Sequence, residues 1–174
     1  MSKAAEGVEK KRRVSRRNLV AGLAAAGAVA GVASTAAAQS AAKQTVRFVQ
    51  PDTMVKTPSY THVVEVIGPG KVIYTSGERG GDKNGKIPPD IKGQSWQALE
   101  NIRLNLAAVG ATFDNVVKIN VYMMDLRRDH ATWSEVKQTF VNKANPPAST
   151  TVQVAQLTRD GVLVEVDVVA VMPA

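Results

Sequence analysis

The sequence predicts an α+β fold in which an antiparallel-type sheet carries two helices on one face. The first observation is the order of periodicities: six segments with β-type patterns are interrupted by two of helical spacing, giving β-ββ-α-β-α-ββ. The second is the parity of the last two strands, whose apolar and polar residues fall on opposite sides. A sheet with one apolar side is suited to packing against helices.

The first three strands precede the first helix. Residues 46–49 form a short strand. Residues 62–67 and 72–78 are two β-rich runs, and the Gly-Pro-Gly sequence at 68–70 between them predicts an antiparallel hairpin. A loop rich in Gly and Pro follows at 80–89.

Both helices are predicted from apolar residues at helical spacing. The first covers about residues 91–109 and closes at Gly110, as a C′ glycine does. The second covers about residues 131–142 and ends before the proline pair at 146–147. The apolar faces consist of Trp96, Leu99, Ile102, Leu106 and Val109 in the first helix and Trp133, Val136 and Phe140 in the second.

The remaining strands are predicted at residues 113–124, 150–157 and 162–171. In the last two, an apolar side suited to the helices consists of Val152, Val154, Val164, Val166, Val168 and Ala170. The opposite side carries Ser149, Thr151, Gln153, Glu165 and Asp167.

Residues 1–38 have the three parts of an export signal. A basic region ends in a twin-arginine-like sequence at 15–20, an Ala/Gly-rich apolar stretch follows at 19–33, and small residues at 36–38 suit signal peptidase. We therefore expect a linker at 39–45 and one domain at 46–174. We also expect the protein to be exported to the periplasm or to the outside of the cell. A retained membrane anchor is the alternative, although Ala and Gly give this stretch a low transfer free energy.

The basic charge belongs mainly to the leader. The chain carries +7 in total and its first 38 residues carry +5, which leaves +2 on the rest. This weakens the case for nucleic-acid binding, which needs a clustered basic face. The chain has no cysteine, so an exported domain relies on its core or on self-association rather than on disulfides.

Several common chemistries find no support in the residue pattern. The two histidines, His62 and His130, lie on separate elements without the spacing of metal ligands. The Gly-containing segments occur in hairpin and loop contexts rather than as phosphate loops, and no nucleophile elbow is present. We therefore expect neither a metal nor a cofactor.

The C-terminal motif is the most specific signal. Residues 145–157 read NPPASTTVQVAQL, and Val164-Glu165-Val166 follows in the last strand. This resembles the signature of the RidA/YjgF family of reactive intermediate deaminases, also known as the L-PSP endoribonuclease family. The resemblance covers about residues 46–172 and implies a RidA/chorismate-mutase-like fold, with three copies packed into a homotrimer and ligand sites in the clefts between subunits.

The resemblance also implies a set of site residues. Glu165 corresponds to a glutamate thought to position the attacking water, and Ser149 stands where deaminating members carry an arginine that clamps the substrate carboxylate. Losing such a charge-assisted hydrogen bond costs about 1.5–3 kcal/mol, or roughly one to two orders of magnitude in affinity. The implied ligand-binding residues are Tyr60, Ser76, Gly77, Glu78, Ser134, Ser149 and Thr151.

Arg79 is the nearest possible replacement for that arginine, but strict alternation puts it on the opposite side of the strand from Ser76 and Glu78. Glu78, if it faces the pocket, would repel a carboxylate further. Each assignment has a plainer explanation: Ser76-Gly77 can simply end a strand, and Glu165 can belong to a solvated face.

Three functions follow from these expectations. The first is an exported Rid-family enzyme that acts on a small enamine, imine or related nitrogen metabolite, with an efficient 2-imino-acid deaminase disfavoured by Ser149. The second is a non-catalytic protein that binds or protects a small molecule on the same scaffold. The third, an endoribonuclease, is disfavoured by the export signal and by the small charge of the domain.

Overall fold

The computed structural model describes residues 43–174, so the predicted export signal and most of the predicted linker lie outside the described residues. The elements, in chain order, are β1 (Thr45–Val49), β2 (Val63–Ile67), β3 (Gly70–Tyr74), β4 (Glu78–Arg79), α1 (Ile91–Ala108), β5 (Val116–Met123), α2 (Leu126–Lys137), β6 (Ala148–Gln153) and β7 (Val164–Pro173). The predicted order of strands and helices is confirmed, and within residues 43–174 no helix has the length and hydropathy needed to cross a bilayer.

The main sheet has the strand order β3-β7-β5-β6, and β4 continues along β7 beyond the end of β3. Its strands pair antiparallel except for β5 and β6, which are parallel, so the sheet is mixed. Helix α1 packs on β7 and β4, and α2 packs on α1. The result is the predicted α+β arrangement of a sheet covered by two helices.

The predicted hairpin between residues 62–67 and 72–78 is wrong. Strand β2 pairs instead with β1 in a separate two-stranded sheet, while β3 pairs with β7. The turn at Gly68, which has a positive φ of 88°, carries the chain from one sheet to the other. Strand β7 offers β3 a continuous buried partner, which a lone two-stranded hairpin would not provide.

Helix α1 forms close to where it was predicted. The Asp90 side chain caps its start by accepting a hydrogen bond from the Gly93 N–H, and Gly110 follows its end with a φ of 79°. The predicted apolar face needs correction at both ends, because Trp96 and Val109 are 52% and 44% exposed. The buried stripe of the helix consists of Gln94, Ser95, Ala98, Leu99, Ile102 and Leu106.

The second helix begins five residues earlier than predicted and ends at Lys137. Its start is set by Asp125, whose carboxylate accepts a hydrogen bond from the backbone N–H of Arg128. Strand β5 likewise begins later than predicted, because Phe113–Asn115 form a 3-10 turn capped by Thr112. Both differences come from capping side chains that apolar periodicity does not reveal.

The core lies between the sheet and the helices. Fully buried valines of β7 alternate with half-buried polar residues, as predicted, and the facing residues of β5 and α1 complete the core. A fully buried side chain of this size contributes roughly 1.5–3 kcal/mol. The largest buried apolar side chains are Trp133, Leu99, Ile102, Leu106, Ile119 and Met123.

Candidate functional site

The outer face of the main sheet, which is turned away from the helices, carries polar groups from β5 and β7. In the pairing of these strands Tyr122 lies opposite Glu165, and Asn120 lies opposite Asp167. Such partners share one face with Cβ atoms about 5 Å apart. The Asn120 Nδ2 donates to Asp167 Oδ1 at 2.9 Å, and Tyr122 and Glu165 form the next pair of this row.

A cleft lies above this pair. The segment that follows β6 borders an open depression of about 470 Å³ on the outer face of the sheet. Its lining combines one carboxylate, one phenol, one hydroxyl and one amide with two aliphatic side chains. The lining residues are Tyr122, Val154, Gln156, Leu157, Thr158 and Glu165.

Gly77 leaves room for the carboxylate of Glu165. A Cβ added at Gly77 would lie well inside van der Waals contact of Glu165 Oε1 and within 3.1 Å of its Cδ and Cγ. The exposed Ser76 precedes this glycine. The structure therefore brings three predicted site residues, Ser76, Gly77 and Glu165, to one place.

The phenol of Tyr122 stays protonated in the neutral range. The negative charge of Asp167 is the main cause that raises its pKa above the usual value of 10.0, followed by burial, a hydrogen bond to Asp167 and the charge of Glu165. A neutral phenol in this position can donate a hydrogen bond to a ligand held beside Glu165. Alternation along β5 puts Tyr122 on the side of Lys118 and Asn120, but no motif in the sequence marks it as a site residue.

One extra residue separates β3 from β4. Tyr74 pairs with Val169 and Glu78 pairs with Val166, so four steps along one strand match three along the other. Thr75 holds the ladder at this point, because its N–H donates to the Val168 carbonyl and its hydroxyl accepts from the Val168 N–H. Residues 76–77 therefore form a β-bulge, which shifts the side-chain alternation by one position.

The bulge reverses the sides expected for Glu78 and Arg79. Arg79 lies directly opposite Glu165 and so shares the outer face, and its Nη1 donates to Thr158 Oγ1 at 3.1 Å. Glu78 turns toward the helices, where its Oε1 accepts a hydrogen bond from Asn105 Nδ2 at 2.6 Å. The prediction that strict alternation disfavours Arg79 at the site is wrong, and Glu78 does not share the face of Glu165.

Ser149 and Thr151 also lie on the side opposite to the predicted one. They pair with Ile119 and Val121, which are core residues, so both face the helix side of the sheet. Val152, predicted to face the helices, is 40% exposed on the outer side. The reason is the position of β6 at the sheet edge: the helices pack mainly on β7 and β4, so β6 needs no apolar row beneath them.

Tyr60 and Ser134 lie apart from Glu165 within one chain. Tyr60 belongs to the segment before β2, and the neighbouring Thr61 bonds the carbonyls of the proline pair at 146–147, where β6 begins. The Tyr60 ring packs edge-on against His62, with centroids 5.2 Å apart. Ser134 belongs to α2, in the helix layer on the other side of the sheet.

The site described by residues 43–174 contains no cluster of three or more His, Cys, Asp or Glu side chains that could hold a metal ion. The side chains around Glu165 supply a carboxylate, a neutral phenol, hydroxyls and a guanidinium. Such a set can orient a water molecule, exchange a proton at the carboxylate and bind an anion.

The fold and the outer cleft define a small α+β protein of the Rid class. The chain belongs to the family described as Endoribonuclease L-PSP, whose sequence model matches residues 53–172. This confirms the RidA/YjgF assignment drawn from the C-terminal motif.

The relatives that the chain matches include a deaminase. The chain is 33% identical over 128 residues to the 2-iminobutanoate/2-iminopropanoate deaminase of Escherichia coli K12, covering 68% of this chain and 98% of that protein. Escherichia coli TdcF with bound serine is similar in structure, with a TM-score of 0.54, 28% identity and coverage of 68% and 98%. The Rid-family protein YyfB of Yersinia pestis has the same fold, with a TM-score of 0.65, 24% identity and coverage of 73% and 98%.

Proposed function

We propose that this protein hydrolyses a small imine or enamine, or a related nitrogen compound, in the cleft around Glu165. The observation that carries the proposal is the pair of Glu165 and Tyr122 in one cleft of about 470 Å³, with the Glu165 carboxylate lying where a Cβ at Gly77 would be. The family relationship supports it, because relatives that the chain matches over most of their length are reactive intermediate deaminases.

Glu165 acts on water in this mechanism. Its carboxylate accepts a proton from the water that attacks the imine carbon and passes it to the nitrogen, which gives a carbinolamine. The carboxylate then takes the proton of the new hydroxyl and delivers it to the nitrogen as the C–N bond breaks, and a carbonyl compound and ammonia are released. Gly77 supplies the space in which this carboxylate sits. Tyr122 is a neutral phenol whose pKa the charge of Asp167 raises further, and its O–H turns from Asp167 to donate a hydrogen bond to the substrate or to the oxygen that forms on its carbon.

We further propose a homotrimer that completes the cleft. The outer sheet face exposes apolar and aromatic side chains, with Val72, Tyr74 and Val152 exposed by 50%, 76% and 40%. An exposed sheet face of this composition favours contact with another subunit. Tyr60, which lies away from Glu165 within one chain, would then approach it from a neighbouring copy. Tyr60 would close the cleft, and Ser76 would bind the ligand.

The position of Ser149 argues against efficient turnover of 2-imino acids. The C-terminal motif places this serine where deaminating members have arginine, and a serine cannot make a planar two-point contact with a carboxylate. The same departure favours a second candidate, a protein that binds a small molecule in the cleft without catalysis. We also propose that residues 1–38 direct export and that the protein works in the periplasm or outside the cell.

A trapping assay separates the two candidates. Amino-acid oxidase and amine oxidase would generate 2-imino acids and uncharged imines, and semicarbazide would compete with the protein for each. A catalytic protein lowers the yield of semicarbazone for at least one imine in proportion to its concentration. A saturable rise in melting temperature with a small molecule, without any loss of semicarbazone across the panel, would favour the binding protein and contradict hydrolysis.

A further inference from the structure

Arg79 stands between two clefts and has no established role. On the outer face it lies in register with Glu165 and donates to Thr158, which lines the same cleft as Glu165. On the α1 side of β4 it also borders a second cleft of about 550 Å³, together with Arg159. Its half-buried side chain is therefore one hydrogen bond, through the Thr158 hydroxyl, from the lining of the Glu165 cleft.

Among residues 43–174, Glu165 lies opposite Arg79 in the ladder without forming an ion pair with it, and the carboxylates of Glu78 and Asp82 are already engaged. Glu78 accepts a hydrogen bond from Asn105, and Asp82 accepts two backbone N–H groups of its own turn at 2.9 Å each. Among residues 43–174 neither Arg79 nor Arg159 takes part in an ion pair. A guanidinium has five N–H donors, and Arg79 uses one of them on a hydroxyl. The charge and the remaining donors are available to an anion.

We propose that Arg79 binds a carboxylate group of the substrate, and so limits the substrates of the Glu165 cleft to small anionic nitrogen compounds. This inference rests on the proposed function of that cleft. A guanidinium binds a carboxylate through two parallel hydrogen bonds, which fixes the orientation of the ligand as well as its charge. Arg159 adds positive charge at the border of the second cleft.

The position of this anchor has a consequence for specificity. It approaches Glu165 from β4, whereas Ser149 on β6 faces the helices within the same chain. The distance between Arg79 and Glu165 would then set how far the imine lies from the carboxylate in a preferred substrate.

Ketone products test the anion site without knowledge of the natural substrate. The probes are 2-oxobutanoate, 4-oxopentanoate and their uncharged amides, and the dissociation constants are measured by NMR titration of the full chain. The variants are Arg79→Gln and Arg79→Lys, with Arg103→Gln as control because Arg103 pairs with Glu100 on the exposed side of α1.

In the wild type at least one acid should bind roughly tenfold or more tightly than its amide, as a charge-assisted bidentate contact provides. Arg79→Gln should remove that preference, Arg79→Lys should keep part of it, and Arg103→Gln should keep all of it. The ratio of acid to amide affinity is insensitive to a merely structural loss, and Arg79→Lys serves if Arg79→Gln does not fold. An unchanged ratio in Arg79→Gln, or in a folded Arg79→Lys alone, overturns the inference.

The trapping assay distinguishes this inference from the proposed function. An Arg79-dependent preference for acids in a protein that hydrolyses no imine supports the anion site and contradicts hydrolysis. Hydrolysis that needs Glu165, together with an acid preference that survives in Arg79→Gln, supports the function and overturns the role of Arg79.

Discussion

Substitution of Gly77 by alanine should separate activity from stability. The residue has no positive φ, so alanine is compatible with its backbone, and its neighbour across the ladder is the flexible end of Glu165. The new Cβ would lie inside contact distance of Glu165 Oε1, and the carboxylate would have to move by on the order of 1 Å to relieve the overlap.

The two magnitudes follow from this geometry. Replacing glycine by alanine at a compatible φ stabilises a protein by about 0.4–1 kcal/mol through the unfolded state, and movement of a half-exposed side chain offsets part of that gain. The free energy of unfolding should therefore change by less than about 1 kcal/mol. A displacement of about 1 Å at a reacting group lowers the rate by roughly 100-fold.

The assay is imine hydrolysis in competition with semicarbazide, run beside thermal unfolding. Gly81→Ala is the matched control, because a Cβ at Gly81 meets only Ile87 at an ordinary 3.8 Å. Gly77→Ala should lose turnover while Gly81→Ala keeps it, with both melting close to the wild type. Full activity in Gly77→Ala would refute the placement of the catalytic carboxylate over this glycine.

Three further predictions concern stability, pH and specificity. Gln94 is fully buried and makes three hydrogen bonds of 2.8 Å, so Gln94→Leu should lower the free energy of unfolding by about 3 kcal/mol and the melting temperature by roughly 10 °C. The control Gln97→Leu should change the melting temperature little, because Gln97 makes one hydrogen bond along its own helix. Burial lowers the pKa of Lys137 from 10.5, so the folded state disfavours its charge. The melting temperature of the wild type should therefore rise relative to that of Lys137→Met as pH climbs from the lowered pKa to 10.5, and parallel curves of melting temperature against pH would contradict this. Ser149→Arg should raise turnover of oxidase-generated 2-imino acids by roughly 10- to 100-fold, and no gain would show that Ser149 does not determine this specificity.

Much of the fold follows from local patterns. The order of elements, the caps of α1 and the parity of β7 depend on residues that are close in sequence, such as Asp90 and Gly110 at the helix ends. The partner of β2 does not, because Gly68 permits a turn but does not decide which strand lies beside the next one. Strand choice depends on the burial that each partner offers.

Two features of the site could not be predicted from the sequence because they depend on which strands pair and which strands the helices cover. The bulge at residues 76–77 is visible only in the pairing with β7, and it moves Arg79 to the face of Glu165. The face of β6 depends on which strands the helices cover, so Ser149 could not be placed from its own alternation. The family motif identified Glu165, and only the three-dimensional register showed its neighbours.

The central claim is tested most directly by Glu165→Gln in the semicarbazide trapping assay, with Glu135→Gln on the exposed side of α2 as control. The substitution preserves the shape of the side chain and removes its ability to take a proton from water. We expect turnover of the imine that the wild type hydrolyses best to fall by at least about 100-fold, within the range for loss of a general base, and to stay unchanged in Glu135→Gln. Undiminished turnover in Glu165→Gln would contradict the account.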